Sequence, residues 1–221
     1  IPADVKTMQM RGVYSAMVVV AVTAQNTLGV QDALPMPEKL IDEQFASIAD
    51  DLKIRACKTG MLADPIRVRA VVRNLKKYDL IGVLNECKNA GIPILGICLG
   101  MQILFEKGYE VEETDGLGFL NGEVKFMDID EKIPHMGWNQ LHFNQIHPIL
   151  KNIHENDDVY FVHSFMAECP NEQLVAYSDY GDTKVTAIAV KDNIIGCQFH
   201  PEKSGAVGTQ ILKAFKEMIE C

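Results

Sequence analysis

The stretch GIPILGICLGMQILFE, residues 91–106, decides the fold of this chain. Its apolar residues 92–95 predict a buried strand, and the spacing of the apolar residues that follow predicts a helix. Cys98 lies at the corner between them, flanked by Gly96 and Gly100. Glycines are needed where a side chain would collide with the neighbouring backbone of a tight turn. The pattern G-x-C-x-G fits a nucleophile on a strained strand-to-helix turn, but it fits a small buried thiol equally well.

A cysteine nucleophile needs a base, and the stretch CQFHPEKS, residues 197–204, supplies a candidate. In this interpretation His200 accepts the thiol proton and Glu202 holds the imidazole in the required tautomer. Taken alone, a histidine at the end of a strand has a structural role more often than a catalytic one. The two motifs together favour a triad of Cys98, His200 and Glu202.

Composition excludes several classes of protein. The 221 residues carry a formal net charge of −9, which argues against a general nucleic-acid binder because such a protein needs a basic surface. The most apolar run, residues 17–24, is too short to span a bilayer, and no leader-peptide pattern surrounds it. The six cysteines contain no CxxC pair, which is typical of reduced thiols in the cytoplasm. No His, Cys and Asp residues have the spacing of metal ligands. We therefore expect a cytoplasmic protein with no metal, no other cofactor, and neither nucleic acid nor membrane as partner.

Strand and helix patterns alternate in the first half of the chain. Helical spacing is found at residues 3–12, 37–52, 64–79, 80–91 and 207–220. Residues 14–26 predict a strand buried on both faces, as in a parallel sheet, and residues 53–62 predict a second strand. From about residue 117, short alternating runs predict many further strands. We therefore expect a three-layer α/β fold with a mostly parallel sheet, a β-rich C-terminal part and one continuous domain over residues 1–221.

Two motifs, GICLGMQ (96–102) and QFHPEKS (198–204), resemble those of the class I (triad) glutamine amidotransferases. The stretches PHMGWN (134–139) and YFVHSF (160–165), together with QFHPEKS, narrow this resemblance. Over roughly residues 79–221 the chain looks like the glutaminase subunit of imidazole glycerol phosphate synthase, an enzyme of histidine biosynthesis. The resemblance implies a flavodoxin-like sheet and hydrolysis of glutamine to glutamate and ammonia through a cysteine thioester. It also implies a cyclase subunit as the partner that receives the ammonia.

Carried over motif by motif, the resemblance assigns three groups of residues. The catalytic triad would be Cys98, His200 and Glu202. Glutamine would be bound by Gly96, Leu99, Gly100, Gln102 and the backbone of His163, Ser164 and Phe165, with the Leu99 amide as one oxyanion donor. The cyclase would contact Pro134, His135, Met136, Gly137, Trp138 and Asn139. Without the resemblance, Trp138 is an ordinary half-buried aromatic, and His135, His142, His147 and His154 are surface or core residues, the interpretation we prefer for the last three.

The first 78 residues resemble a different family. The stretches PADVKTMQMRGVY (2–14), VTAQNTLGVQ (22–31) and ACKTGML (56–62) are similar to motifs of the hydroxymethylpyrimidine (phosphate) kinases of thiamin biosynthesis. By this resemblance Gln25 would read the pyrimidine and Met61 would pack on it, although core packing explains both residues as well. The anion hole, catalytic aspartate and ATP site of those kinases have no counterpart here, so we do not expect phosphoryl transfer.

The chain thus looks like a chimera. Residues 1–78 are a kinase-like fragment that stands in place of the first part of a glutaminase, and residues 79–221 are the glutaminase-like fragment. We favour an engineered recombination over a natural gene. Charge supports a seam there, because residues 1–78 hold 11 Lys and Arg against 8 Asp and Glu, whereas residues 79–221 hold 10 against 22.

The chimera is expected to lack part of the oxyanion hole. Aligned backward from Cys98, the glutaminase turn that supplies the second oxyanion donor falls on residues 63–66, which contain no glycine, and Pro65 has no N–H to donate. We therefore expect an impaired glutaminase. The alternatives are a fold chimera without catalytic activity and a truncated kinase fragment that binds pyrimidine.

Overall fold

The structure, a computed structural model, describes residues 2–10, 12–26, 29–52, 65–110 and 112–219. They belong to two compact units, Ile1–Glu86 and Cys87–Cys221. The expectation of one continuous domain over residues 1–221 stays a prediction.

Helices and one hairpin make up the described part of the first unit: α1 (Pro2–Met10), β1 (Ala21–Asn26), β2 (Gly29–Pro35), α2 (Glu38–Asp51) and α3 (Pro65–Lys77), while α4 (Leu80–Asn89) crosses the boundary between the units. These helices lie where the sequence predicts them. After α1 the chain turns at Gly12, whose φ of +72° is accessible to glycine without steric cost. α2 begins directly after Pro37, because proline has no N–H to donate to a preceding helical turn. The strand predicted at residues 53–62 lies outside the described residues.

Residues 14–26 do not form the predicted buried parallel strand. Only Ala21–Asn26 is a strand, and it pairs antiparallel with Gly29–Pro35. In the residues before β1, the Gln44 side chain of α2 makes the hydrogen bonds that a neighbouring strand would make to Val19. Gln44 Oε1 accepts from the Val19 N–H at 2.9 Å, and Gln44 Nε2 donates to the Val19 carbonyl at 3.0 Å. The β-branched run predicts extended backbone correctly. The partner of its hydrogen bonds is a tertiary contact that the run does not contain.

An apolar cluster and a polar network join α2 to α3. The buried members of the cluster are Val20, Ile41, Ala70 and Val71. In the network, Arg73 Nη2 donates to both carboxylate oxygens of Asp42, at 3.0 and 2.8 Å. Asn74 Nδ2 donates to Asp42 Oδ1 at 2.5 Å. These hydrogen bonds, that of Asn74 first and that of Arg73 second, lower the pKa of Asp42.

The second unit contains the strands β3 (Ile94–Ile97), β4 (Lys107–Gly108), β5 (Thr114–Asp115), β6 (Glu123–Phe126), β7 (His135–Gln140), β8 (His142–Phe143), β9 (Asp158–His163), β10 (Phe165–Glu168), β11 (Leu174–Tyr180), β12 (Thr183–Lys191) and β13 (Ile194–Cys197). Its helices are α5 (Leu99–Gln102) and α6 (Gly205–Ile219), with 3₁₀ turns at Pro148–Leu150 and Pro201–Lys203.

The strands of the second unit form three sheets in the described residues, and the α/β expectation is confirmed. The largest has the order β3-β13-β12-β11-β8, a second has the order β10-β6-β4-β5, and β7 pairs with β9. Among these pairs, β3–β13 and β4–β6 are parallel and the others are antiparallel, so the sheets are mixed rather than mostly parallel. Short turns join consecutive strands such as β11, β12 and β13, and a short turn permits only an antiparallel pair.

The C-terminal helix α6 covers the core of the second unit. Its buried residues Gly208, Ile211 and Ala214 repeat at helical spacing. Ile211 and Ala214 belong to the same buried cluster as Phe161 and Phe199. The helix therefore packs close to the segment that carries the predicted base. None of the helices in the described ranges is long and apolar enough to cross a membrane.

Candidate active site

Strand register brings the predicted nucleophile and base together. β3 and β13 are parallel neighbours with Ile97 opposite Cys197, and the Cys98 N–H donates to the Cys197 carbonyl at 2.7 Å. Because parallel strands end at the same edge of a sheet, the residues that follow them lie side by side. Cys98 and His200, about a hundred positions apart in the sequence, meet at this edge.

Cys98 has the strained backbone that the G-x-C-x-G pattern predicts. Its φ is +53° and its ψ is −113°, a region that residues other than glycine rarely adopt. Gly96 is required for the turn, because a Cβ there would lie 2.4 Å from the Gly100 carbonyl oxygen. Gly100 itself has open space around a Cβ, so the steric reason given for both glycines holds for Gly96 alone.

His200 and Glu202 form a largely buried pair. His200 Nδ1 lies 2.7 Å from Glu202 Oε1, and the two side chains are 15% and 6% exposed. The backbone holds His200 in place: its N–H donates to the Tyr160 carbonyl at 2.9 Å, and its carbonyl accepts from Ser204 Oγ at 2.7 Å. With Nδ1 facing the carboxylate, Nε2 is the nitrogen left to exchange a proton with the nucleophile.

The surroundings of His200 favour its protonated form. Burial by itself lowers the pKa of His200, but hydrogen bonds to Cys98 and Glu202, together with the charges of these two groups, outweigh burial and raise it to about 9. With a pKa of about 9, the His200 imidazole is protonated and positively charged at neutral pH. This proton is available to a leaving group.

A second glutamine, Gln198, lies beside the predicted nucleophile Cys98, and the sequence does not assign it a role. Gln198 is buried, its Nε2 is 3.8 Å from Cys98 Sγ, and its Oε1 accepts from Gln102 Nε2 at 3.0 Å. The same Gln102 Nε2 lies 3.0 Å from the Phe165 carbonyl oxygen. A signal was present in the sequence, because Gln198 and His200 are two positions apart and extended backbone places such residues on one side.

The predicted glutamine-binding segment lies next to this group. Ser164 separates β9 from β10, and its carbonyl accepts from the Met127 N–H at 3.0 Å. The Phe165 carbonyl accepts from His163 Nδ1 at 2.8 Å as well as from Gln102. The Leu99 amide lies in the first turn of α5, where an N–H has no partner within the helix. Cys98, Gln102, His163 and Phe165 thus lie close together, and their roles in binding glutamine stay a prediction.

The predicted partner segment alternates between buried and exposed residues. Met136 and Trp138 on β7 are 59% and 55% exposed, and the Trp138 ring meets Tyr160 edge to face with ring centres 5.8 Å apart. His135 is fully buried, so its side chain is not presented at this surface. Gly137 has a φ of +141°, which suits glycine. Pro134 directly precedes the strand.

The remaining predicted residues have local roles or lie outside the described part. His147 Nδ1 accepts from the Ile149 N–H at 3.2 Å, and His154 is exposed. Met61 and the side chain of Gln25 lie outside the described residues, as do residues 63 and 64 of the expected oxyanion turn. Within the described ranges, no group of three or more His, Cys, Asp and Glu residues is placed to hold a metal ion.

Comparisons with known proteins agree with the geometry. Residues 73–218 match the family model "Glutamine amidotransferase class-I", and residues 1–85 match "Phosphomethylpyrimidine kinase". Because the first match spans more than half of the chain, the chain belongs to the class-I glutamine amidotransferase family. The two matches overlap in the region where charge and motifs place the seam, so the composition of the chain is chimeric.

Among curated proteins of this family, the chain is similar to subunits of imidazole glycerol phosphate synthase. The imidazole glycerol phosphate synthase subunit HisH of Lactococcus lactis subsp. lactis (strain IL1403) is 59% identical over 148 residues, which cover 67% of this chain and 73% of the relative. HisH of Bacillus cereus (strain B4264) is 47% identical over 146 residues, which cover 66% and 69%. A solved glutamine amidotransferase with 15% identity has a TM-score of 0.51 over 67% of this chain and 72% of that one, and it supports the fold.

Proposed function

We propose that this chain is a glutaminase of the HisH type, which hydrolyses glutamine to glutamate and ammonia. The observation that carries the proposal is geometric: Cys98 lies on a strained turn after β3, beside the parallel strand β13 that leads to His200, and His200 Nδ1 lies 2.7 Å from Glu202 Oε1. A buried thiol with a purely structural role would need neither the strain nor the histidine.

The reaction follows from these groups. The Cys98 sulfur attacks the side-chain carbonyl carbon of glutamine, and the carbon–nitrogen bond breaks as His200 gives its proton to the leaving ammonia. Water then attacks the thioester carbonyl as His200 takes one of its protons, and the carbon–sulfur bond breaks to release glutamate and restore the Cys98 thiolate beside the protonated His200. In this reaction the Leu99 N–H stabilises the oxyanion of both tetrahedral intermediates. Gln102 and the Phe165 carbonyl support the bound substrate.

The activity is expected to be weak. The segment aligned with the second oxyanion donor begins α3 at Pro65, which has no N–H. One such donor contributes roughly 10²- to 10³-fold in rate. This impairment is the reason to measure glutamate release with high sensitivity and long incubation.

The first experiment is a glutamine hydrolysis assay on the whole chain, with Cys98→Ala as the matched control. Glutamate release that disappears in the Cys98→Ala variant would support the proposal. No release from a chain that unfolds cooperatively would contradict it and favour the alternative of a fold chimera without catalytic activity.

The proposed partner is a cyclase subunit like that of imidazole glycerol phosphate synthase, and the proposed compartment is the cytoplasm. Trp138 and Met136 give the partner an exposed apolar surface beside the site. We expect Trp138→Ala to remove stimulation of glutamate release by the cyclase and to leave unstimulated release unchanged. Ile146→Ala, which truncates a fully exposed apolar residue elsewhere on the unit, is the control. Equal stimulation of both variants would contradict this surface assignment.

A second candidate function, residual pyrimidine binding, rests on the kinase match of residues 1–85. Gln25 and Met61 are the residues that the resemblance assigns to it. Millimolar hydroxymethylpyrimidine would raise the melting temperature of the chain if the site binds. An unchanged melting temperature would count against this candidate.

A further inference from the structure

A line of buried hydrogen-bonding groups runs from the partner-facing strand to the glutamine-binding carbonyl. Asn139 on β7 contacts His135 through Oδ1 and Nε2 at 3.0 Å. His135 Nδ1 contacts His163 Nε2 at 3.0 Å, and His163 Nδ1 contacts the Phe165 carbonyl at 2.8 Å. Neither imidazole is solvated: His135 and His163 are 0% and 6% exposed.

The outer ends of this line both accept hydrogen bonds. The Phe165 oxygen is a carbonyl, so His163 Nδ1 has to carry a proton to bond to it. The Asn139 amide donates through Nδ2 to the Asp179 carbonyl at 3.3 Å, which leaves Oδ1 toward His135, and His135 Nε2 has to carry a proton as well. The contact between the two rings needs a third proton.

Two neutral imidazoles have only two N–H protons for these three contacts. If His163 donates to Phe165 and His135 donates to His163, then His135 Nε2 is bare and faces an oxygen. Asn139 then has to turn its amide, which places Oδ1 against the Asp179 carbonyl. If instead His135 donates to Asn139 and His163 donates to His135, then His163 Nδ1 is bare and the Phe165 carbonyl loses its donor. Each ring keeps one proton in both arrangements.

The surroundings keep the pair neutral. Burial first, and then the charges of His135 and His200, lower the pKa of His163 to about 4 against the opposing hydrogen bond to Phe165. Burial also lowers the pKa of His135, which lies stacked between Phe161 and Tyr180 with ring centres 4.6 and 4.0 Å away.

Neighbouring elements offer little compensation for a cation on the pair. The Tyr180 hydroxyl donates to the Lys132 carbonyl, and the Asp179 carboxylate lies 3.5 Å from His142 Nε2. A further titratable neighbour is His200, which lies 2.7 Å from Glu202 through Nδ1 and itself carries a positive charge at neutral pH.

We propose that His135 and His163 form a tautomer switch that couples the orientation of the Asn139 amide to the hydrogen bond on the Phe165 carbonyl. Asn139, His135 and His163 are then positioning residues, because Phe165 and its second donor Gln102 lie between them and the nucleophile. A partner that changes what Asn139 can accept or donate changes how firmly the glutamine-binding carbonyl is held. The kinetic part of this inference rests on the proposed function, whereas the proton count rests on the geometry alone.

The test is ¹⁵N NMR of the ring nitrogens in the whole chain with labelled histidine. At neutral pH we expect two ring protons on the pair and an intermediate shift for His163 Nδ1, since two tautomers exchange. As the pH falls through about 4, a third proton should appear and His163 Nδ1 should reach the shift of a fully protonated nitrogen. A third proton already present at neutral pH would overturn the proposal.

Asn139→Asp gives a second and sharper arm. The introduced carboxylate accepts at both oxygens and favours a positively charged His135–His163 pair. The variant should therefore carry a third ring proton at neutral pH, which the unmodified chain lacks, with His163 Nδ1 fully protonated. Gln140→Glu is the control, because it adds the same charge at an exposed neighbouring position of β7. A His163 Nδ1 shift that is identical in Asn139→Asp and the unmodified chain would overturn the proposal, as would an equal change in Gln140→Glu.

Kinetics then separate the two proposals. If glutamine is hydrolysed, Asn139→Asp should lower KM for glutamine with little change in kcat, because the Phe165 carbonyl is held in every molecule. An unchanged KM with a changed ring-proton count would overturn the positioning role. If no glutamine is hydrolysed, the glutaminase proposal fails, yet the NMR result still decides whether the switch exists.

Discussion

Among single residues, Cys98 carries a backbone conformation that costs a non-glycine residue about 1–3 kcal/mol. Hydrogen bonds on both sides hold it there: its N–H donates to the Cys197 carbonyl at 2.7 Å, and its carbonyl accepts from the Met101 and Gln102 N–H groups at 3.0 and 3.1 Å. Cys98 follows β3 at the sheet edge where the parallel strand β13 leads to His200. The G-x-C-x-G motif predicts a tight turn at this position, because a side chain in place of Gly96 would collide with the Gly100 carbonyl.

His200 should make the stability of the chain depend on pH. Its pKa is raised from 6.5 to about 9, so its contribution is present in full below about pH 6.5 and is lost as the pH rises through about 9. One pKa unit corresponds to about 1.4 kcal/mol, so the full effect is on the order of 3 kcal/mol. We expect His200→Gln to abolish this decline in the free energy of unfolding, measured by urea denaturation across that range.

The matched control for His200→Gln is His154→Gln, since His154 is exposed and lies 3.8 Å from Asp157. It should keep the decline of the unmodified chain. A decline of equal size in His200→Gln would show that another group titrates in this window.

Elements decide whether the motif residues meet. β3 and β13 are parallel in a register that sets Gly96 opposite Gly196, and a shift of one residue would carry Cys98 and His200 to different positions. The helix α6 fixes the other side, because Gly208 packs directly on the turn Pro201–Lys203 that carries Glu202.

Gly208→Ala should therefore damage both stability and the site. A Cβ on Gly208 would lie 1.9 Å from the Pro201 carbonyl oxygen, which cannot move aside without displacing His200 and Glu202. We expect a loss of about 1–3 kcal/mol in the free energy of unfolding. Glutamate release should fall further than this loss of folded protein explains.

Gly108→Ala is the control for this prediction, because nothing lies within 4 Å of a Cβ on Gly108. It should change the free energy of unfolding by much less than Gly208→Ala. If the two variants were equally stable, α6 would not be held against this turn as closely as the structure indicates.

At the scale of the whole molecule, the chimeric composition raises the question of cooperativity. The first unit has its own buried cluster around Ile41 and the second has another around Phe161. The predicted single domain requires that the two units unfold together.

We expect one unfolding transition in urea, the same by two probes. Fluorescence of the single tryptophan, Trp138, reports the second unit, whereas far-UV circular dichroism reports helices of both units. Coincident midpoints would support one domain. A circular-dichroism transition at lower urea than the fluorescence transition would mean that the helices of the first unit unfold separately.

Much of the element pattern could be predicted from the sequence. Helices α1, α2, α3, α4 and α6 follow apolar periodicity and Pro or Gly boundaries, which are local properties of the chain. The pairing of residues 14–26 could not be predicted, since Val19 is held by Gln44, a side chain 25 positions away. Most strand pairs of the second unit are antiparallel because short turns join consecutive strands. The alternation of strands and helices in the first half of the chain predicted a mostly parallel sheet instead.

The sequence by itself determined the glycine-flanked turn at Cys98, the His200–Glu202 pair two positions apart, and the chimeric composition of the chain. These are properties of short stretches, which record local conformation and residue chemistry. Only the tertiary structure decided that Gln198 lies beside the sulfur, that His135 is buried, and that it meets His163 at 3.0 Å. Such contacts join residues far apart in the chain, and they depend on strand register and on the count of hydrogen-bond donors in a buried space, neither of which a linear pattern contains.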